Sequence, residues 1–124
     1  MTIQELATIV QEKLAIKIAI INNGYLGMVR EWQELFYNRK YVHTQLYNPD
    51  FVRIAEAYGI AAARVKDKLD VIPAIEKAME HNGPFLIDFV IEPEENVFPI
   101  VPPGAALVQS IEMPKSEKTT PKKR

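Results

Sequence analysis

The sequence contains no cysteine. That absence removes disulfide frameworks, thiol catalysis and Cys-ligated zinc together. No long apolar run is present either. The most hydrophobic stretch, Leu14 to Ile21, is short and broken by Lys17, and it falls far below the ~20 residues needed to span a bilayer. The start of the chain lacks the basic opening and apolar run of a signal peptide. Charge of one sign is scarce as well: the formal net charge is −1 and the pI is near 6.1. Without a domain-wide positive field, nucleic acid is not expected as a main partner. There are two histidines, His43 and His81, each isolated from other metal-ligating or triad residues. Both are expected on the surface or in loops. No internal repeat is found.

What remains is a globular balance of 48% hydrophobic and 25% charged residues in 124 positions. That length suits one compact α/β layer structure and is too short for two ordinary domains. The charge is unevenly placed. From Pro114 to Arg124 five basic residues face Glu117 alone, a net of +4, so the preceding residues carry −5. Residues 113–124 are therefore expected to form a basic, disordered, solubilising tail, and residues 1–112 the folded part.

Thr2 and Glu5 have the spacing of a capping box, and Ile3, Leu6, Ala7, Ile9, Val10 and Leu14 follow at helical spacing. Ile16 to Ile21 reads as a buried strand. Asn22-Asn23-Gly24 ends it. Asn-Gly is a strong hairpin signal, but a hairpin needs a second strand. Instead Leu26, Val29, Trp32 or Gln33, and Leu35 or Phe36 recur at helical spacing, which favours a strand-loop-helix junction. Residues 37–47 are polar and aromatic and are expected to form an ordered loop. Asn48-Pro49-Asp50 then predicts a helix start with Asn48 as the cap. Phe51, Ile54, Ala55 and Tyr58 supply its buried stripe and Gly59 its stop. A strand over 60–65, a helix over 69–80 with Pro73 near its start, a Gly83-Pro84 break and a strand over 85–91 complete the order. Asp88 is the polar residue of the last strand, expected to be a buried acid or, near a sheet edge, a cap for a neighbouring loop.

Strands alternating with helices imply an α/β fold of three layers, a mainly parallel sheet with helices on both faces. Ligands of such sheets bind beyond the carboxyl ends of the strands. That places a site at Asn22 to Leu26 and in the segment after Ile91. Two Asn side chains and open carbonyls are hard oxygen ligands, suited to Mg²⁺ or Ca²⁺. Gly24 lets the backbone turn, and a helix starting near Leu26 adds a positive dipole end for phosphate oxygens.

The string ELATIVQEKLAIKIAIINNGYLGMVREWQELFY resembles the diphosphate-binding half of thiamine diphosphate enzymes, in which NN follows a GDG motif. Within that superfamily LGMV-x-x-WQ-x-x-FY, NPDF-x-x-x-A-x-A-x-G, GPFLIDFVI and ENVFPIVPPGA resemble the large, catalytic subunit of acetolactate synthase. The resemblance covers roughly residues 1–112. It implies the incomplete C-terminal portion of a thiamine-diphosphate-binding fold, and condensation of two pyruvates, or of pyruvate with 2-oxobutanoate, with loss of CO₂. Thiamine diphosphate and Mg²⁺ are the implied cofactors, with FAD in the full-length enzyme. Implied partners are 2-ketoacid substrates, further copies of the subunit and a small regulatory subunit. No nucleic acid or membrane partner is implied. The implied place is the cytoplasm in a bacterium, or a plastid.

Residue by residue, the resemblance implies that Asn23 gives its side-chain oxygen and Tyr25 its main-chain carbonyl to the metal. Tyr25, Leu26, Gly27 and Met28 are implied to line the cofactor. Val29, Trp32 and Pro103 are implied in the substrate pocket and the adjoining herbicide-binding channel. Asn22 is expected to brace the loop. Glu31 stands where the family has Gln, which is expected to put a charge near the channel. The GDG aspartate, the cofactor-activating glutamate and the FAD-associated domain do not occur in this sequence. The chain by itself is therefore expected to carry no catalytic residue and little or no activity. Two other readings are carried: another ketoacid enzyme of the superfamily (a decarboxylase, an oxidase or a glyoxylate carboligase), and a non-catalytic α/β interaction module.

Overall fold

A computed structural model describes residues 2–113. The residues of the basic tail from Pro114 onward lie outside the described part. The chain divides into two compact units, Met1–Glu94 and Glu95–Arg124.

The first unit holds a three-stranded, fully parallel sheet of β1 (Lys17–Asn22), β2 (Ala61–Val65) and β3 (Phe85–Val90). Strand order is β1-β3-β2, so the last strand in sequence is the middle one. Its register pairs Ile20 with Asp88 on one side and Arg64 with Asp88 on the other. Helices α1 (Glu5–Gln11), α2 (Gly27–Phe36), α3 (Phe51–Ala57) and α4 (Val71–Glu80) connect or flank the strands.

Alternation along β3 builds the two faces. Leu86 packs with Leu6 of α1, Ala55 of α3 and Ile60. Phe85 and Ile87 pack with Val65 and with Ala78 of α4. The three layers expected from the sequence are thus present, with α1 and α3 on one face and α4 on the other.

Local chemistry moves several boundaries. The Thr2–Glu5 capping box does not form. The amides of Glu5, Leu6 and Ala7 instead donate to the carbonyls three residues back, each at 3.1 Å. That turn satisfies the first donors of α1, so no side-chain cap is made. At the next helix the cap is Asp50, which accepts from the Arg53 amide at 3.1 Å. Asn48 lies two residues before that cap, and its Nδ2 donates to Asn22 Oδ1 at 2.9 Å. Gly59, with φ +77°, ends α3 as expected. The helix expected from Leu69 opens instead as a short 3₁₀ turn, Lys68–Asp70, ahead of α4. Pro73 has no N–H to offer the Leu69 carbonyl, which explains the tighter first turn. β1 and β3 end one residue away from their expected limits.

The second unit is irregular. Ile100 and Ile111 exchange backbone hydrogen bonds at 3.0 and 2.7 Å and close a loop. The loop contains Gly104 at φ +81° and a 3₁₀ turn, Leu107–Gln109. The Phe98–Pro99 bond is cis.

Candidate cofactor and cation site

The site begins where β1 stops. Asn22 to Leu26 run off the carboxyl end of the strand, and α2 starts immediately after. Gly24 takes φ +70°, a left-handed conformation that favours glycine. A second segment then clamps the loop. The amide of Leu26 donates to the Thr44 carbonyl and the amide of Leu46 to the Gly24 carbonyl, both at 2.8 Å. Tyr25 and Gln45 are therefore an antiparallel pair without hydrogen bonds between them.

This pairing decides where the Tyr25 peptide groups point. At a position without cross-strand hydrogen bonds, N–H and C=O both face away from the partner. The Tyr25 N–H finds Oδ1 of Asn23 at 3.0 Å. The Tyr25 carbonyl and Asn23 Oδ1 thus share one side of the loop. Each is a neutral oxygen with a lone pair to spare. Asn22 differs: its Oδ1 accepts from Asn48 Nδ2 at 2.9 Å and from the Gly24 amide at 3.2 Å. Its Nδ2 donates to Asp88 at 3.0 Å. Asn22 is fully used as a brace.

The donor set tests well against a hard divalent cation. Oxygen donors from Asn23 and Tyr25 suit Mg²⁺, which keeps waters and phosphate oxygens as its remaining ligands. Among the described residues no group of three or more His, Cys, Asp or Glu side chains could hold a metal. The start of α2 suits an anion. Leu26 makes no side-chain cap, and the first-turn N–H groups of a helix lack intrahelical acceptors. Gly27 leaves room: a Cβ there would stand 3.0 Å from Asn23 Nδ2. Leu26 and Met28 expose about half their surface beside this point.

Further along α2 an open groove of about 420 Å³ is lined by Val29, Trp32, Phe36 and Tyr37, with Gln33 and Lys40. The structure therefore brings Val29 and Trp32 together in one groove along α2. Gln33 is a latch between α2 and the following loop, through bonds to the Val42 carbonyl and amide at 3.0 and 3.1 Å. Pro103 belongs to the second unit, where it is exposed. Glu31 does not line the groove. It is 3% exposed, because the residue beside Trp32 in a helix points about 100° away. The charge expected at the channel is thus turned inward.

The roles of Arg30 and Thr44 carry no sequence signal that spacing reveals, and the partners of Asp88, expected as a buried acid or an edge cap, come from the fold. Arg30 is buried between the rings of Tyr25 and Tyr41, 5.4 and 4.6 Å from their centroids. Its guanidinium also reaches Glu94 at 2.9 Å and Glu34 at 3.3 Å. Burial raises the Tyr41 phenol above its ordinary value, against the lowering effect of Arg30. Thr44, also buried, supplies the clamp on Leu26. Asp88 sits on the middle strand, not at an edge, and is paired with Arg64 at 2.9 Å. His43 and His81 are both exposed loop or helix-end residues.

The chain is also similar to known proteins. The family model for thiamine pyrophosphate enzymes, C-terminal TPP binding domain, matches residues 1–89. The acetolactate synthase large subunit of Cyanidium caldarium is 43% identical over 96% of this chain and 21% of its own length. That of Corynebacterium glutamicum is 48% identical over 86% of this chain and 18% of its own. The large subunit of acetolactate synthase isozyme 2 of Escherichia coli is 41% identical over 90% of this chain and 21% of its own. This chain spans about a fifth of the length of these relatives. A solved structure, the thiamine diphosphate-dependent 4-hydroxybenzoylformate decarboxylase of Rhodococcus jostii, matches with a TM-score of 0.65 and 28% identity, covering 73% of this chain and 17% of that one.

Proposed function

Because this chain belongs to the family of thiamine pyrophosphate enzymes, as their C-terminal TPP binding domain, we propose that it is the cofactor-holding part of an acetolactate synthase large subunit. The reaction is condensation of two pyruvates, or of pyruvate with 2-oxobutanoate, to an acetohydroxyacid with loss of CO₂. The supporting observation is the loop after β1. There the Tyr25 carbonyl and Asn23 Oδ1 are turned to one side, directly before the uncapped start of α2.

In this reading Asn23 and Tyr25 hold Mg²⁺, and the first-turn amides of α2 meet the diphosphate. Leu26, Gly27 and Met28 line the cofactor. Thiamine diphosphate, when bound, supplies the carbanion-stabilising thiazolium. The chain's own residues bind, orient and select. Val29 and Trp32 form the wall against which the second ketoacid is sorted. A methyl and an ethyl group differ by only about 1–3 kcal/mol in an apolar pocket, so one aromatic wall is enough to bias the choice. FAD, a homo-oligomer and a small regulatory subunit belong to the same reading. A cytoplasmic or plastid place belongs to the same reading; among the described residues no helix is long and apolar enough to cross a membrane.

The test is the natural full-length product incubated with pyruvate, thiamine diphosphate and Mg²⁺. Acetolactate release dependent on both cofactors supports the reading. Acetaldehyde and CO₂ in its place point to the decarboxylase class, to which the 28% identical structural match belongs by name.

A further inference from the structure

Asp88 is 1% exposed in the middle strand of the sheet. A buried carboxylate is costly unless its oxygens are paired. Here the two oxygens are divided between different tasks. Oδ2 accepts from Nε of Arg64 at 2.9 Å. Oδ1 accepts from Nδ2 of Asn22 at 3.0 Å. Because Asp88 only accepts, one orientation of the Asn22 amide satisfies it. In that orientation Asn22 Oδ1 faces Asn48 Nδ2 and the Gly24 amide. The other end of the chain is anchored too, since Arg64 Nη2 donates to Asp50, the cap of α3, at 2.7 Å. One run of hydrogen bonds therefore crosses from the start of α3, over β2 and β3, into the loop after β1. An apolar residue at position 88 would pack in the sheet without this cost.

We propose that Asp88 is a positioning residue for the 22–25 loop. Through Asn22 it fixes the Gly24 amide, and with it the side to which Asn23 Oδ1 and the Tyr25 carbonyl are turned. The inference rests on the cation-binding reading of that loop. Asp88 itself touches neither cofactor nor cation. It acts on the group beside the ligands, a kind of contact whose loss commonly weakens metal binding about 10–100-fold.

Two double variants of the natural full-length product separate this role from a merely structural one. Asp88→Asn with Arg64→Gln exchanges the ion pair for an amide pair and keeps an acceptor for Asn22. Asp88→Leu with Arg64→Leu fills the space with apolar side chains, an exchange that buried ion pairs commonly tolerate, and removes the acceptor. Without cofactor, amide exchange is read at Gly24 and Tyr25 against Leu86 and Ile87 in the core. The leucine pair is expected to exchange about tenfold faster at the loop and unchanged in the core. A Mg²⁺ titration by calorimetry at fixed thiamine diphosphate is expected to weaken about tenfold or more in the same variant. The amide pair is expected to stay close to the parent in both. Should the leucine pair not fold, Asn22→Ala cuts the same link at a half-buried position and is read in the same way. Loop protection that survives in the leucine pair or in Asn22→Ala overturns the proposal. So does loss that runs in step with the core. A parent protein with no Mg²⁺-dependent binding of thiamine diphosphate sinks the cofactor reading instead, and the exchange at Gly24 and Tyr25 still decides the role of Asp88.

Discussion

Gly27 and Asn23 approach so closely that a Cβ added to Gly27 would lie 3.0 Å from the Asn23 side-chain nitrogen. The glycine is the first residue of α2, a position where alanine has the higher helix propensity. Its retention there is explained by Asn23, which needs the space to turn its oxygen toward the Tyr25 amide. Gly27→Ala is thus expected to split two properties. Helix propensity raises stability by up to about 1 kcal/mol, while the displaced Asn23 weakens Mg²⁺ and thiamine diphosphate binding about tenfold. Thermal melting and a calorimetric titration on the same preparation check both signs. A variant that binds like the parent removes Asn23 from the cation site.

Arg30 is expected to matter to the fold more than to the chemistry. It is 3% exposed and serves Tyr25, Tyr41, Glu34 and Glu94 at once. Lysine has the charge but not the planar fork that stacks and bridges. Arg30→Met is expected to cost about 2–3 kcal/mol, discounted from the usual figure for a broken buried pair because Glu94 is mostly exposed. Arg30→Lys should recover about half of that. Glu94→Gln, at the wet end of the pair, should cost less than about 1 kcal/mol. Urea midpoints of the three variants give the ranking directly. Equal losses in all three would show that the stacking on the tyrosines contributes nothing.

These two cases show what the sequence could and could not disclose. The Asn22–Gly24 turn and the helix after it were legible because strand and helix periods change on either side of three residues with strong turn chemistry. The three layers were legible for the same reason. The order β1-β3-β2 was not, because strand order is set by packing and not by succession along the chain. Of the two readings open for Asp88, a buried acid or a cap near a sheet edge, the central place of β3 and its burial select the first. The clamp from Thr44 to Leu46 was hidden in an aperiodic stretch about twenty residues from the loop it pins. Asn48 looked like a helix cap because its type and spacing are right, but α3 starts at Phe51 and Asp50 holds the cap position, while Asn48 Nδ2 donates to Asn22 in a bond that no local pattern encodes. Glu31 shows the limit of reading a neighbour's role by adjacency: one residue along a helix is enough to exchange groove for core.

Trp32 offers a separate test of substrate sorting. Its side chain is 43% exposed in the groove with Val29 and Phe36. Little of the fold depends on it, so Trp32→Leu is expected to change stability by no more than about 1 kcal/mol. Preference for 2-oxobutanoate over pyruvate, taken as the ratio of kcat/KM values, should fall by an amount equivalent to about 1–3 kcal/mol. Competition between the two ketoacids in one reaction, with both products quantified, measures this ratio without separate kinetics. An unchanged ratio with reduced kcat for both would place Trp32 against the cofactor and not against the second substrate.

Acid stability should report on Asp50. Hydrogen bonding from Arg64, and then from the Arg53 amide, holds the Asp50 carboxyl below its ordinary value of 3.8. Arg64 is correspondingly held above its own. A carboxylate with a lowered folded-state value stabilises the fold above its unfolded value, and the contribution disappears as pH falls through the folded one. The window therefore opens near pH 4 and extends downward. Asp50→Asn isolates the charge, because asparagine still caps α3 by accepting the Arg53 amide. At neutral pH the variant should be modestly less stable than the parent, since Asp50 and Arg64 are both about one-third exposed and solvent screens them. As pH falls below about 4 the two should converge. Urea midpoints from roughly pH 2 to pH 6 follow the gap. A gap that persists at the acid end would assign the loss to cap geometry and leave the Asp50–Arg64 pair without an electrostatic part in stability.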